Sequence, residues 1–304
     1  FFQHDFIQAI RQGGFRPFVF MPHGLWVAFF AVMVTLAAAA RTRIAAPDQF
    51  AKRLLFVGFG FCLVIICKSM GPLLYALAFV PLVLLFPPRF HLFVATCLVT
   101  LVIAYPLLRG AGWVTTDWIL AQVEEMSPDR AQSLGFRFGN EDSILAHVAN
   151  KPLFGWGGWG RFMVYDPATG ETQTIVDGQW IITIGQFGWL GYVSLFGLMA
   201  LPVFSLAFQA MRRHAQPLPI EVSVLVLILA INMVDMLPNA TLIPFTWLIA
   251  GALLGYAEEM KRATDAAKRA AFTRNHAGVL IGTDLSDPRD RRGGPVADRP
   301  RSLL

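Results

Sequence analysis

Apolar residues in this chain gather into seven long runs, at about 20–40, 54–68, 71–87, 90–108, 184–208, 221–238 and 241–258. Amphipathic elements of a soluble core break up their apolar positions, and these runs do not. Several sit near the short limit for a membrane crossing, roughly 20 residues. The pattern predicts an all-α fold: a polytopic membrane helical bundle of about seven spans occupying residues 1–258. Polar positions concentrate in the segment 109–180 and in the tail 259–304. Within the segment, Thr116 to Glu125 reads as an amphipathic helix presenting Trp118, Ile119 and Val123. Ser127-Pro128 reads as a cap followed by Pro at a first helical position. Asn140-Glu141-Asp142 reads as the start of a second helix, ending near Asn150 before Pro152. A glycine and aromatic loop follows, from Pro152 to Gly160, with Trp156 and Trp159 in it. The tail is polar and punctuated by Pro and Gly, a composition that predicts disorder.

Composition agrees with a membrane solvent. Of 304 residues 55% are apolar and 15% charged, with a mean hydropathy of +0.54, where a soluble domain carries about 25% charged residues. The net charge of +5 is not a nucleic-acid footprint, because ten Lys/Arg lie in 259–304 and most others flank apolar runs. Arg41, Arg43, Lys52 and Arg53 lie between runs one and two, Arg89 between three and four, and Arg212 and Arg213 between five and six. If every run crosses, these sets and the basic tail share one side, which the positive-inside rule makes the cytoplasm. Residues 1–19 and the large loop 109–180 then lie outside, and of the short outer connectors only the one at Lys68 carries a cation. This arrangement predicts a bacterial inner-membrane protein with a cytoplasmic C-terminus. Cys62, Cys67 and Cys97 sit inside apolar runs with no disulfide or metal spacing, and no cofactor is expected. The opening Phe1-Phe2-Gln3-His4-Asp5 lacks an initiator Met and reads as the start of a fragment.

The outer segments carry motifs in a particular order. Arg137 is followed fifteen residues later by Pro152-Leu153-Phe154-Gly155-Trp156-Gly157. Asp177-Gly178-Gln179-Trp180-Ile181-Ile182 then leads to Gly188-Trp189-Leu190-Gly191 at the head of an apolar run. Together these resemble the large periplasmic loop of the O-antigen ligase and polymerase superfamily. In that family an Arg opens a helix that ends in a Pro-Leu-Leu-Gly-x-Gly turn, and a polar pair with an aromatic precedes Gly-Leu-Leu-Gly. Lys68-Ser69-Met70-Gly71 is similar to the family's Ser-Arg-Gly turn, and Arg16-Pro17 to His23-Gly24 stands where the family has another loop Arg. Ligases of the family that attach glycan to a lipid core carry His-Asn where this chain has Asp177-Gly178, which favours a polymerase or another polysaccharide-transferring member.

The resemblance implies a membrane glycosyltransferase that takes glycan from a polyprenyl-pyrophosphate donor and passes it to a glycan or lipid acceptor. Such a reaction releases a lipid pyrophosphate, so the site needs fixed cations where negative charge builds. Arg fits this need through its planar, weakly hydrated fork. Arg137, Arg16 and Lys68 are the candidates, with Asp177 and His23 as possible proton acceptors. Asp235, one helical turn from Asn232, is a carboxylate inside an apolar run and is a further candidate for substrate contact. Trp156 and Trp159 could stack sugar rings.

Each has a plainer counterpart. Interfacial Arg, Lys and Trp serve as membrane anchors, His23 could cap a helix, Asp177 could satisfy loop amides, and Gly251 with Gly255 would be helix packing. A transporter or a non-catalytic membrane subunit would share the same hydropathy. The discriminator is convergence. A transferase requires Arg16, Lys68 and Arg137 in one cavity, and dispersal around the rim would exclude the mechanism.

Overall fold

Helix boundaries follow local chemistry. Helix α1 (Gly24–Arg43) is capped by His23, whose Nδ1 accepts the Leu25 N–H at 3.1 Å, and it closes on Arg41 and Arg43 beside its C-terminal carbonyls. Helices α2 (Pro47–Ile66) and α4 (Pro88–Gly110) each begin with Pro in the first turn, where the missing N–H has no partner to lose. Helix α3 (Met70–Leu85) lies between them. Outside the apolar runs, α5 (Thr116–Met126) and α6 (Pro128–Val148) pack as a helical hairpin. Helices α7 (Gln179–Ala210), α8 (Ile220–Asp235) and α9 (Pro244–Gly282) complete the chain, and a short antiparallel pair, β1 (Ile10–Arg11) and β2 (Gly14–Phe15), precedes α1. The structure, a computed structural model, describes residues 10–11, 14–114, 116–126, 128–212 and 217–282.

Helix α8 is the axis of the bundle. It is buried along nearly its whole length and packs against α1, α3, α4, α7 and α9, as expected of a helix that is apolar on every side. Helix α2 is its opposite, leaning mainly on α1 and exposing Leu55 (74%), Phe59 (63%) and Ile66 (58%). Water would penalise such a face, at roughly 25 cal/mol for each Å² of apolar surface, and lipid does not. Among the described residues four helices, α1, α2, α4 and α7, are long and apolar enough to cross a bilayer, and α3 is apolar but shorter. The chain is an all-α membrane protein.

Three boundaries differ from the sequence reading. Asn140-Glu141-Asp142 does not start a helix; α6 runs through it. Asn140 is buried, donating to the Phe136 carbonyl at 2.7 Å and accepting the Ile175 N–H at 3.0 Å, so its side chain ties the following loop to the helix and caps nothing. Arg137 accordingly sits within α6 and does not open it. The run read as 184–208 starts at Gln179, because Gly178 is the N-cap and the polar Gln179 enters the first turn. The tail is helical as far as Gly282, with Arg212 fastening Asp265 at 2.6 Å; the rest of it, and Ser127, lie outside the described residues.

The loop after α6 is held by main chain. Trp156 N–H donates to the Gly185 carbonyl at 2.9 Å and Gly157 N–H to Gln186 at 2.8 Å. In return, Trp189 N–H donates to Pro152 at 2.8 Å and Leu190 N–H to Leu153 at 3.2 Å. This ladder docks onto a break in α7, where Gly188 has φ 64° and ψ −163°. The two glycine motifs of the sequence are therefore the two halves of one joint.

Candidate functional site

One end of the bundle encloses a cavity of about 850 Å³, within the range of small-molecule sites. Its wall holds Arg16, His23, Lys68, Arg137 and Asp177, together with the turn Pro238–Thr241. These residues come from five separated parts of the chain. Arg16 follows β2, and its aliphatic stem packs where a Cβ on Gly24 would sit, against the N-terminus of α1. Only 8% of Arg16 is exposed. Lys68 forms the α2–α3 turn with φ 48°, a left-handed conformation uncommon for a side-chain-bearing residue. Its ammonium lies against Gly14 of β2. Three cations against one carboxylate leave the cavity with a formal charge of +2 with His23 neutral.

Arg137 is braced on two sides. Its Nε lies 3.1 Å from the Asp177 carboxylate, and its Nη1 donates to the Pro238 carbonyl at 3.4 Å. A guanidinium has five N–H donors, so the brace fixes its plane and leaves other donors for a ligand. Asp177 is thereby engaged in orienting Arg137. His23 lines the cavity while its Nδ1 accepts the Leu25 N–H. An imidazole accepting at Nδ1 carries its neutral-form proton on Nε2.

The remaining candidates lie elsewhere. Asp235 is buried behind the wall, where Asn239 Nδ2 donates to it at 3.1 Å and the Tyr75 hydroxyl bonds to it. Asn232 donates to the Thr241 carbonyl at 3.2 Å and accepts from Thr246 at 2.5 Å. Asn232 and Asp235 of α8 thus hold the Pro238–Thr241 turn in position, and that turn presents the carbonyl bonded to Arg137. Trp156 stacks on His147, with ring centroids 4.2 Å apart, and Lys151 Nζ lies 4.2 Å above it. Trp159 meets Phe162 edge-on and is 66% exposed. Neither tryptophan lines the cavity.

A residue that sequence reasoning placed in the first turn of a new helix belongs to the site's surroundings. Glu141 stands four residues after Arg137, hence on the same face of α6. It lines a second chamber of about 210 Å³ with Tyr105, Leu134, Phe138 and Ile144. Arg137, Val176, Asp177 and Pro238 border both chambers and form their common wall. Burial pushes the Glu141 carboxyl up to about 7, against the pull of Arg109, the Trp180 indole N–H and Arg137 and with a smaller push from Asp142. Arg109 is itself held by Asp142 at 2.6 Å and lies over the Phe138 ring. The available signal was the spacing of four between Arg137 and Glu141, masked because Asn-Glu-Asp is also what a helix start looks like. Among the described residues no group of His, Cys, Asp and Glu is arranged to hold a metal ion. Comparison with protein-family models, with curated proteins and with solved structures gives no match, so the site's own geometry carries the functional argument.

Proposed function

We propose that this protein is a membrane glycosyltransferase of the O-antigen polymerase or ligase type. It takes a glycan from a polyprenyl-pyrophosphate donor and passes it to a glycan or lipid acceptor at the outer face of the bacterial inner membrane. The observation that carries the reading is the convergence of Arg16, Lys68 and Arg137, more than 120 residues apart at the extremes, on one cavity. In this reading all seven apolar helices span the membrane, with α5, α6 and the cavity outside and the end of α9 in the cytoplasm.

The chemistry follows from charge. The acceptor hydroxyl attacks the anomeric carbon, the bond from that carbon to the pyrophosphate oxygen breaks, and the hydroxyl proton passes to a base. Charge that builds on the departing pyrophosphate meets cations already in place, each stabilising it by about 3–4 kcal/mol if it acts like one oxyanion-hole donor. Arg137, braced from two sides, aims its free N–H groups without reorganising. No nucleotide or cofactor takes part.

The test uses the purified intact protein in lipid nanodiscs with a lipid-linked oligosaccharide pool from its source cells. Released polyprenyl pyrophosphate and glycan size are followed together. A ladder of longer glycans marks a polymerase, and a single addition to a second acceptor marks a ligase. Arg137→Ala should reduce release at least 100-fold with the protein still in the membrane fraction, and Arg137→Lys should also be impaired because a point charge cannot keep both braces. Donor binding without release in the wild type would redirect the reading toward transport or scaffolding.

A further inference from the structure

We infer that Glu141 accepts the proton of the incoming hydroxyl and that the small chamber it lines seats the terminal sugar of the acceptor. This assignment rests on the glycosyltransferase reading and deepens it.

Three groups near the cavity could take a proton, and the geometry separates them. Asp177 is committed to the Arg137 guanidinium at 3.1 Å, where it orients that side chain. His23 has its Nδ1 lone pair engaged by the Leu25 N–H at the start of α1. Glu141 is the third, and its carboxyl lies among Tyr105, Phe138, Ile144 and Ile181. Arg137, Val176, Asp177 and Pro238 line both the cationic cavity and the Glu141 chamber, so the two adjoin. A donor whose pyrophosphate lies on the cations has its anomeric carbon beside the chamber that holds the base.

The chamber's size and lining point to a sugar. At about 210 Å³ it holds roughly seven water volumes, which is room for a single sugar ring and not for a lipid pyrophosphate. Its walls are apolar apart from Glu141, Arg137, Asp177 and the Tyr105 hydroxyl. Aromatic and aliphatic walls suit the C–H face of a pyranose, and one carboxylate suits the hydroxyl that reacts. The step balances: the acceptor O–H proton goes to Glu141, the new glycosidic bond forms, and the pyrophosphate departs with its bonding electron pair.

The charged and titratable groups facing Glu141 are Arg109 and Tyr105 from α4, Arg137 and Asp142 from α6, and Asp177 from the loop before α7. Burial raises the Glu141 carboxyl to about 7, close to the range in which a general base is most effective. A base works when deprotonated, so the rate should climb with pH and level off above about 7.

The experiment measures polyprenyl pyrophosphate release by wild type and Glu141→Gln from pH 5 to 9, with binding of undecaprenyl pyrophosphate measured alongside. The expected result is a kcat lower by at least 100-fold at pH 8, an undecaprenyl pyrophosphate Kd within twofold, and loss of the acidic limb from the residual rate. Glu141→Asp should retain part of the activity and keep a limb. A Glu141→Gln enzyme within threefold of wild type, with its limb intact, overturns the assignment and leaves the donor site standing. A wild type that binds donor and releases nothing removes both readings. Leu134→Trp, which fills the chamber without altering the carboxyl, guards against a Glu141 variant that fails to fold. It should raise the acceptor KM at least tenfold at unchanged donor Kd, and an unchanged acceptor KM overturns the sugar seat.

Discussion

Arg137 shows how one side chain can be made specific by its neighbours. The Asp177 pair holds its Nε, and both partners remain part-exposed, at 39% and 43% of their side chains. An ion pair of that kind adds little to stability, about 0–1 kcal/mol, so its value lies in orientation. Asp177→Asn should therefore leave thermal stability within a degree or two while lowering kcat by about 10- to 100-fold, the range expected when a contact group is misplaced. Parallel unfolding and turnover measurements check this. A kcat equal to wild type would show that the Pro238 carbonyl alone suffices to hold Arg137. At this scale the sequence spoke unevenly. Lys68 was legible as the one cation in a short outer connector of the expected topology, Arg16 by its place before the first apolar run, and Arg137 by its spacing to Pro152-Leu153-Phe154-Gly155. Glu141 was not, because the same three polar letters serve equally as a helix start and as one turn of a helix whose neighbours bury it.

At the scale of elements, the joint between the Pro152–Gly157 loop and α7 is the most exacting feature. Gly188 holds φ 64°, and a Cβ there would lie 2.4 Å from the Leu153 backbone. Gly155 has φ 66° and would meet the Gln186 carbonyl at 2.6 Å. Backbone cannot yield as a flexible side chain does, so Gly188→Ala combines left-handed strain of about 1–3 kcal/mol with a steric clash. The expected outcome is a clear drop in thermal stability in detergent, whereas Gly197→Ala, with open space around its Cβ, should be neutral. Equal melting temperatures for the two variants would mean that the joint relaxes freely. The order of the two glycine motifs is visible in the sequence, but their mutual docking is not. It is made by main-chain groups, and those carry no residue-specific signal.

The whole molecule is a buried axis, α8, wrapped by helices whose outer faces are apolar. The positions of the helices were readable because long apolar runs permit little else. The place of Asp235 was not, since whether a carboxylate at a helix end faces a cavity or a turn depends on where the next five residues go. The proposed topology has a direct check. Gly158→Cys should react with an impermeant maleimide in intact spheroplasts, and Lys261→Cys only after permeabilisation. The reverse pattern would invert the protein in the membrane and separate the cavity from any lipid-linked donor outside.

The main-chain ladder has a further consequence for the covalent chain. The loop is bonded to α7 at Pro152, Leu153, Trp156 and Gly157 before it reaches the turn at Asp166–Glu171, and Asn140 holds Ile175 after it. That turn is exposed and closed by its own bonds, Asp166 N–H to Glu171 and Gly170 N–H to Asp166. The bonds that cross the linkage between Thr169 and Gly170 are local to the turn, and exposed turns of this kind are where chains tolerate a break. The protein should accordingly assemble from two separately expressed pieces divided there. Co-purification of the halves, with the proposed activity present only when both are, would make the protein available as a split pair whose reunion can be switched.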